Sequence, residues 1–525
     1  MPINEPALEM HPSRWGDPAA AAPLPESTRG LVELAFGLHD TPATSAVTLP
    51  PVGLSADALA ELGALLGEEN VRTDDQTRRL RTRGKSTPDL LRQRSGDLTD
   101  APDAVVRPGT HEEVQALIEC AVQHHIALVP FGGGTSVTGG LVARREGFAG
   151  VLSLDLIRMK ALREVDKVSM TVVLEPGLRG PEAEALLAEQ GLTLGHFPQS
   201  FEFASIGGFA ATRSSGQASA GYGRFDSMVV GLTVATPQGT FEVGSSPMNA
   251  AGPDLRQLML GSEGAFGVIT GVRVRVRAVP TTKVYEGWQF PSFVDGAAAF
   301  RTLAQTGNLP TVLRLSDELE TALNLAGQDN VGADGATGCL AIVGWEGADI
   351  SARRATVTAA LEGLGGVNLG EQRGQAWEHG RFHAPYLRDS LLDVGVLVET
   401  LETVTFWSRA DELKAEVTAA LTAELGEKTI VLCHISHVYE TGCSLYFTVA
   451  APEADEPVAQ WLAAKAKASD AMMRVGASIT HHHAVGTDHK RWLAEEIGPI
   501  GVAILRAVKA ELDPTGVLNP GVLIP

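Results

Sequence analysis

VPFGGGTSVTGG, residues 129–140, places five glycines in twelve positions directly behind the apolar run IALVPF (126–131). A run of that length and composition predicts a buried strand. Glycine permits positive φ and close backbone approach, so successive N–H groups after the strand can converge on phosphate oxygens. The dinucleotide pattern G-x-G-x-x-G breaks down here, because Val137 stands where the last glycine belongs. The stretch therefore predicts an amide cradle for an anion without the nicotinamide-type turn, and on its own it is equally compatible with a tight turn.

Outward from this loop the pattern repeats. Upstream, APDAVVRP (101–108) reads as a strand, and Thr110 with Glu113 forms the signature of a helix N-terminus. The helix that follows turns Val114, Leu117, Ile118, Ala121 and Val122 to one side. Downstream, FPQSFEFASIGGFAATRSSGQASAGYG (197–223) and LGSEGAFGVIT (260–270) are two more stretches rich in glycine and hydroxyl residues. Three such stretches suit a large phosphate-bearing cofactor threaded through backbone amides.

Four parts are expected: an irregular and helical segment (1–96), a cofactor domain (97–279), a second domain of helices and strands (280–475) and a C-terminal segment (476–525). DALAELGALLG (57–67), SARRATVTAALEGL (351–364) and RADELKAEVTAALTAEL (409–425) have helical periodicity. GKST (84–87) is no phosphate loop, since Arg79 stands where that motif needs glycine. The polar, basic stretch 81–98 is expected at the surface, with lying over a ligand as one option.

The chain has 63 acidic and 42 basic side chains, a net charge of −21. That sign disfavours nucleic acid and anionic membrane surfaces, though a local arginine cluster still accommodates a small anion. No apolar run has the length of a membrane span. The start lacks the pattern of a signal peptide, and the final LIP is no peroxisomal address. A cytoplasmic protein is expected. Four cysteines without a CxxC pair read as reduced thiols, with Cys433 and Cys443 near one another if their strands pair.

Candidate chemistry gathers near the C-terminus. ASITHHH (477–483) reads as a strand, which puts His481 and His483 on one face and His482 on the other. A metal would need further ligands such as His434, His437 or His489, and no carboxylate stands at an obvious supporting spacing. Proton or oxyanion handling is preferred over a structural cluster and over a metal site; no metal is expected. Tyr446 lies in CSLYFTVAA; a two-residue turn at Thr441-Gly442 would pair it with His437. As a base it would need cations or strong donors, because a free phenol titrates near 10. Arg314 sits in an apolar strand, where an unpaired charge is costly to bury. Arg388 precedes Asp389, which makes a structural ion pair the alternative to an anion site.

Four segments resemble the FAD-contacting parts of the vanillyl-alcohol oxidase and p-cresol methylhydroxylase type of flavoenzyme. They are PFGGGTS (Pro130, Phe131, Gly132, Gly133, Gly134, Thr135, Ser136), QSFEFAS (Gln199, Ser200, Phe201, Glu202, Phe203, Ala204, Ser205), TRSS (Thr212, Arg213, Ser214, Ser215) and EGAFGVI (Glu263, Gly264, Ala265, Phe266, Gly267, Val268, Ile269). With LDPTGVLNPG (512–521) and the S-x-HHH-x-VG segment, the resemblance narrows to the alkyldihydroxyacetonephosphate synthase family over residues 80–525.

It implies an α+β fold, in which a two-subdomain FAD-binding domain is joined to an α/β cap with an antiparallel sheet. It implies FAD held non-covalently, since GGGTSVTGG has no histidine for attachment. It further implies Tyr446 and His482 as catalytic residues with His481, His483 and Arg314, and Arg314 and Arg388 on the substrate. The implied reaction is a transferase reaction of ether lipid synthesis. It exchanges the acyl group of an acyl dihydroxyacetone phosphate for a fatty alcohol by way of a flavin N5 adduct. Small-molecule partners, at most peripheral membrane contact and a homodimer as the candidate assembly go with it. The chain departs from the family pattern at Ala484, usually Gly, and Thr487, usually Lys; the methyl at 484 should matter only where positive φ is required. The rival readings are an FAD-linked oxidoreductase of a D-2-hydroxy acid (lactate or glycolate type) and a non-catalytic flavin-binding subunit.

Overall fold

A computed structural model of the chain describes residues 8–24, 26–326 and 338–525. Three sheets organise it. In the first, Ala104–Val106, Gly150–Asp155 and Ile126–Phe131 run parallel, with the short Val71–Arg72 antiparallel at the edge. The helix His111–His124 provides the crossover. Val114, Leu117, Ile118 and Ala121 are buried on it, and the Thr110 side chain accepts from the Glu113 amide as the sequence predicts. The reciprocal bond is displaced by one residue, since Glu113 accepts from Gly109 instead of Thr110.

The second sheet is antiparallel, in the order Leu162–Asp166, Thr171–Leu174, Val268–Arg275, Val229–Thr236, Gly239–Val243. The third has seven antiparallel strands: Val367–Gly370, Thr282–Phe290, Cys339–Gly347, Val312–Ser316, Ile430–Val438, Gly442–Pro452 and Val396–Phe406. Helices Phe293–Gln305, Ser351–Gly363, Ala410–Leu425 and Pro457–Val475 cover one face of this sheet, and their apolar sides share a core with it. Along Gly442–Pro452, Leu445, Phe447 and Val449 enter that core, while Tyr446 and Thr448 turn to the opposite face and stay half-buried. Period-two alternation thus points Tyr446 away from the helical layer.

The chain ends tie the layers together. Val517 and Leu518 pack with the first sheet; Val485, Val522 and Leu523 pack with the second. Near the start, Leu62 and Leu66 join the first core, and Leu24 and Val32 pack on Val394, Val396 and Val398.

Several expectations fail for identifiable reasons. The stretch 81–98 is not a surface segment: Thr82, Thr87 and Leu90 are fully buried. Its basic residues are tolerated inside because they are paired, Arg81 with Asp155 at 2.9 Å and Arg83 with Asp100 at 2.6 Å. ASITHHH is no strand: 477–483 is a bent loop with one isolated bridge, Ser478 to Val404. The hairpin turn is longer than two residues, since Val438 pairs with Cys443 and Tyr439 donates its amide to the Gly442 carbonyl. A bulge at Ser436 then brings Tyr446 opposite His434, not His437. The four cysteines are free and buried; Cys433 lies opposite Phe447 and Cys443 opposite Val438. Among the described residues no helix is long and apolar enough to cross a membrane.

Candidate active site

The site is built on the face of the seven-stranded sheet opposite its helical layer. Glu402, on Val396–Phe406, lies directly opposite Tyr446, which in turn lies opposite His434 on the next strand. Three polar side chains thus form one row across three strands. The His434 ring stacks on Tyr446 with centroids 4.9 Å apart.

Glu402 explains why the histidine segment is a loop. Its buried carboxylate accepts the backbone amides of His481, His482 and His483 at 2.8–3.1 Å, and the Thr480 hydroxyl at 2.6 Å. Three successive amides aimed at one anion require a concave backbone, which a strand cannot supply. Burial works to raise the Glu402 pKa, but the imidazoles of His482, His483 and His481 outweigh it and hold the carboxyl well below its ordinary range. Sequence spacing suggested no such carboxylate, because Glu402 is 79 residues from His481. The available signal was VLVETLETVTF (396–406), where two glutamates interrupt a β-branched apolar strand.

The imidazoles form a connected cluster. His481 Nδ1 and His482 Nδ1 are 2.9 Å apart, and His482 Nδ1 is 3.4 Å from Glu402. His481 Nε2 meets the Tyr439 hydroxyl at 2.5 Å. His437 stacks on His481 at 4.8 Å and takes the Ser215 and Ser219 hydroxyls on Nδ1, at 3.1 and 2.6 Å. Burial depresses His437 and His481 well below the ordinary imidazole value and brings His483 to about 3, so these rings are neutral near pH 7. Ligand atoms of His437, His481 and His482 lie within 4.8 Å of one another, the spacing of a metal triad. The same rings are also joined to Ser215, Ser219, Tyr439 and Glu402.

Tyr446 is surrounded differently from the expectation. Burial pushes its phenol up to about 12, and Glu399 and Glu402 act in the same direction against the Thr400 hydroxyl and Arg314. Nor does Arg314 await an anion to offset its burial: Glu320 accepts from it at 2.7 Å, and His434 Nδ1 is 3.1 Å away. Arg388 does form an ion pair with Asp389, at 3.2 Å, and donates to the Lys85 carbonyl at 2.8 Å. Its hydrogen bonds go to that region and not to the histidine cluster, and its buried Nη2 makes none.

The glycine-rich stretches meet the histidine loop. Thr138 Oγ1 donates to the His483 carbonyl at 3.1 Å, and the Thr487 amide donates to the Thr138 carbonyl at 3.0 Å. Glu263 accepts the Val485 and Gly486 amides at 2.9 and 2.8 Å, and Asn519 bridges the carbonyls of Gly140 and Glu263. Ser215 is joined to His437 as above.

Residues 102–244 match the family described as FAD binding domain, and residues 279–523 that described as FAD linked oxidases, C-terminal domain. The chain is 32% identical to the alkyldihydroxyacetonephosphate synthase of Dictyostelium discoideum, over 96% of this chain and 88% of that protein. It is 34% identical to that of Trypanosoma brucei brucei, over 91% and 82%. A solved alkyldihydroxyacetonephosphate synthase superposes with a TM-score of 0.84 at 29% identity, covering 98% of both chains. The chain belongs to the alkyldihydroxyacetonephosphate synthase family. It is an FAD-dependent enzyme of the transferase or oxidoreductase kind. A D-lactate dehydrogenase [cytochrome] of Arabidopsis thaliana is a more distant relative, 26% identical over 81% of this chain and 74% of that protein.

The residues around the first loop fit the cofactor of this family. Gly134 has a φ of 71°, and a Cβ on Gly133 would collide with the Phe203 carbonyl. Among the described residues no protein group accepts the amides of Gly133, Gly134 and Thr135. Arg81, Arg83, Lys85 and Arg179 line the pocket over Gly132–Gly134, and the buried Gln199 Nε2 has no partner. Burial lowers Lys85 to about 7, so an arriving anion would favour its charged form. Unspent amides beside a ring of cations suit a diphosphate. The other three segments are divided in their roles. Ser205 caps the helix Ile206–Thr212, while Arg213 is spent on the Leu260 carbonyl and on Asp226. Phe203 lies under the edge of Trp15, and Phe201 stacks on Phe382. Ala265 and Phe266 are core residues, as are Val268 and Ile269.

Proposed function

We propose that the chain exchanges the acyl group of an acyl dihydroxyacetone phosphate for a fatty alcohol, as the names of its synthase relatives suggest, and not that it oxidises a 2-hydroxy acid. The observation that carries this reading is the Glu402-held histidine loop facing Tyr446 at the junction with the FAD-binding stretches. Such an arrangement handles protons, as removal of a proton beside a ketone requires. The proposed parts are an FAD-binding region over 97–279, a cap over 280–475 and a closing segment over 476–525, with FAD held non-covalently. Bound there by the amides of 132–136 with Arg81, Lys85 and Arg179, FAD supplies an electron-accepting ring.

Tyr446 takes the proton from the carbon beside the ketone. A phenol raised to about 12 is protonated at neutral pH. Its own proton therefore has to leave in the same event, and His482, with Glu402 3.4 Å from Nδ1, is the acceptor. His481 and His483 hold His482 in place through the loop. The fatty acid departs as the ester C–O bond breaks, and the alcohol oxygen forms the new ether bond at that carbon. The alcohol's proton goes out with the carboxylic acid, the proton held on His482 returns through Tyr446 to the carbon it left, and no net oxidation occurs. Arg388, whose buried Nη2 lies 3.2 Å from Asp389 without a hydrogen bond, would turn to the substrate phosphate; Arg314 serves through His434, to which it is joined.

The test is anaerobic incubation of the flavin-loaded protein with acyl dihydroxyacetone phosphate and an isotopically labelled fatty alcohol. Labelled ether product and released fatty acid are expected. Tyr446→Phe should retain the flavin and lose at least ~100-fold in turnover. Flavin bleaching by D-lactate, without ether product, would replace this reading with the oxidoreductase one; response to neither substrate would leave the flavin-binding subunit.

A further inference from the structure

The hydrogen-bond order around Glu402 determines where the ring protons sit. His482 Nδ1 lies 3.4 Å from the Glu402 carboxylate and 2.9 Å from His481 Nδ1. A lone pair on His482 Nδ1 would face an anion; a proton there is shared by two acceptors. His482 therefore carries its hydrogen on Nδ1, and His481 Nδ1 accepts it. His481, buried at 4% exposure and neutral, must then hold its own proton on Nε2. That nitrogen faces the Tyr439 oxygen at 2.5 Å. Tyr439 sits at the hairpin end, where the four-residue turn swings it under the loop.

We infer that Tyr439 is a positioning residue. By accepting from His481 Nε2–H it fixes both tautomers and leaves Nε2 of His482 bare, as the open proton acceptor of the cluster. The inference deepens the proton-handling role given to His482 above and rests on that reading for its catalytic consequence. The ring-proton assignment itself does not.

Nitrogen NMR of the flavin-loaded enzyme with 15N-labelled histidine rings tests it. His481→Asn and His482→Asn assign the two rings among the 14 histidines. In the unaltered protein His482 is expected to be protonated on Nδ1 and His481 on Nε2. In Tyr439→Phe, which keeps the ring and removes the acceptor, His481 should show mixed tautomers. Exchange turnover should fall about tenfold or more, with KM and flavin content unchanged. A His482 protonated on Nε2 in the unaltered protein overturns the inference, whether or not the variant folds. So does a Tyr439→Phe variant with unaltered ring signals and turnover. An unaltered protein with no exchange activity sinks the proposed function instead, and the ring assignment still decides the tautomers.

Discussion

At the scale of single residues, position 484 shows how a small departure becomes costly. Ala484 adopts a φ of 73°, the left-handed region in which a Cβ is strained. The strain follows from the loop's curvature around Glu402 and from the His489 ring, whose Nδ1–H donates to the Ala484 carbonyl at 2.9 Å. Ala484→Gly should stabilise the protein by about 0.5–1 kcal/mol, the left-handed cost less the entropy that glycine adds to the unfolded chain. The thermal midpoint would rise accordingly; an unchanged or lower midpoint would mean that the methyl contributes packing of equal worth. Arg388 gives a second prediction. Arg388→Ala should raise KM for a phosphorylated substrate roughly 10- to 100-fold, the worth of a charge-assisted pair, while a phosphate-free analogue is turned over as before. Equal effects on both substrates would confine Arg388 to its ion pair with Asp389. Neither residue's conformation was legible in sequence. The family pattern pointed to 484, but only the backbone shows that positive φ is needed there.

At the scale of elements, the N-terminal segment is more than a lead-in. Glu9 pairs with Arg81 at 2.7 Å, the Leu8 carbonyl accepts from Arg179, and Lys85 donates to the Pro12 carbonyl at 3.0 Å. Further along, Trp15 donates its amide to Asp389 and packs its edge against Phe203, and Arg14 pairs with Asp393. One strap therefore joins the cations above the glycine loop to the helix Ala384–Leu392 that carries Arg388. Removing residues up to Asp17 should weaken FAD retention at least ~10-fold, the equivalent of about 1.4 kcal/mol, read as flavin lost on gel filtration. Full retention would reduce the strap to a surface tether. Helices and strands with strong periodicity, such as Ala410–Leu425 and Ile126–Phe131, were readable because burial on one side imposes a pattern on the local sequence. The strap and the histidine loop carry no such pattern. Each is shaped by partners hundreds of residues away: Arg14 to Asp393, His483 to Thr138.

At the scale of the whole molecule, the buried ionisable groups set a response to acid. Burial lowers His196, His434, His437, His481, His483 and His489 below 6.5. Below pH 6.5 the unfolded chain binds protons that the folded one refuses, so stability falls as pH drops. Asp89, raised by burial to about 6, and Glu263, raised to about 7, act oppositely, gaining protons in the folded state first. Asp100, Glu184, Glu202, Asp317 and Glu453 are raised as well and His11 is lowered. Because the imidazoles have the highest unfolded values among these groups, they are the first to bind protons in the unfolded chain, and stability is expected to fall from about pH 6.5 downward. Glu402, with a depressed folded pKa, contributes fully above about pH 4.5 and loses that contribution as pH falls through its lower folded value. Thermal midpoints measured from pH 8 to 4.5 should decline below pH 6.5; a flat profile would mean that these rings are solvated. By itself the sequence determined the fold class and the FAD cofactor, and pointed to the histidine triplet and Tyr446, because these depend on residue type and short-range pattern. Only the tertiary structure decided what Glu402 holds, where the ring protons go and which strand faces Tyr446. Those depend on a bulge, a longer turn and a buried carboxylate, whose effects act across the sheet and leave no local periodicity.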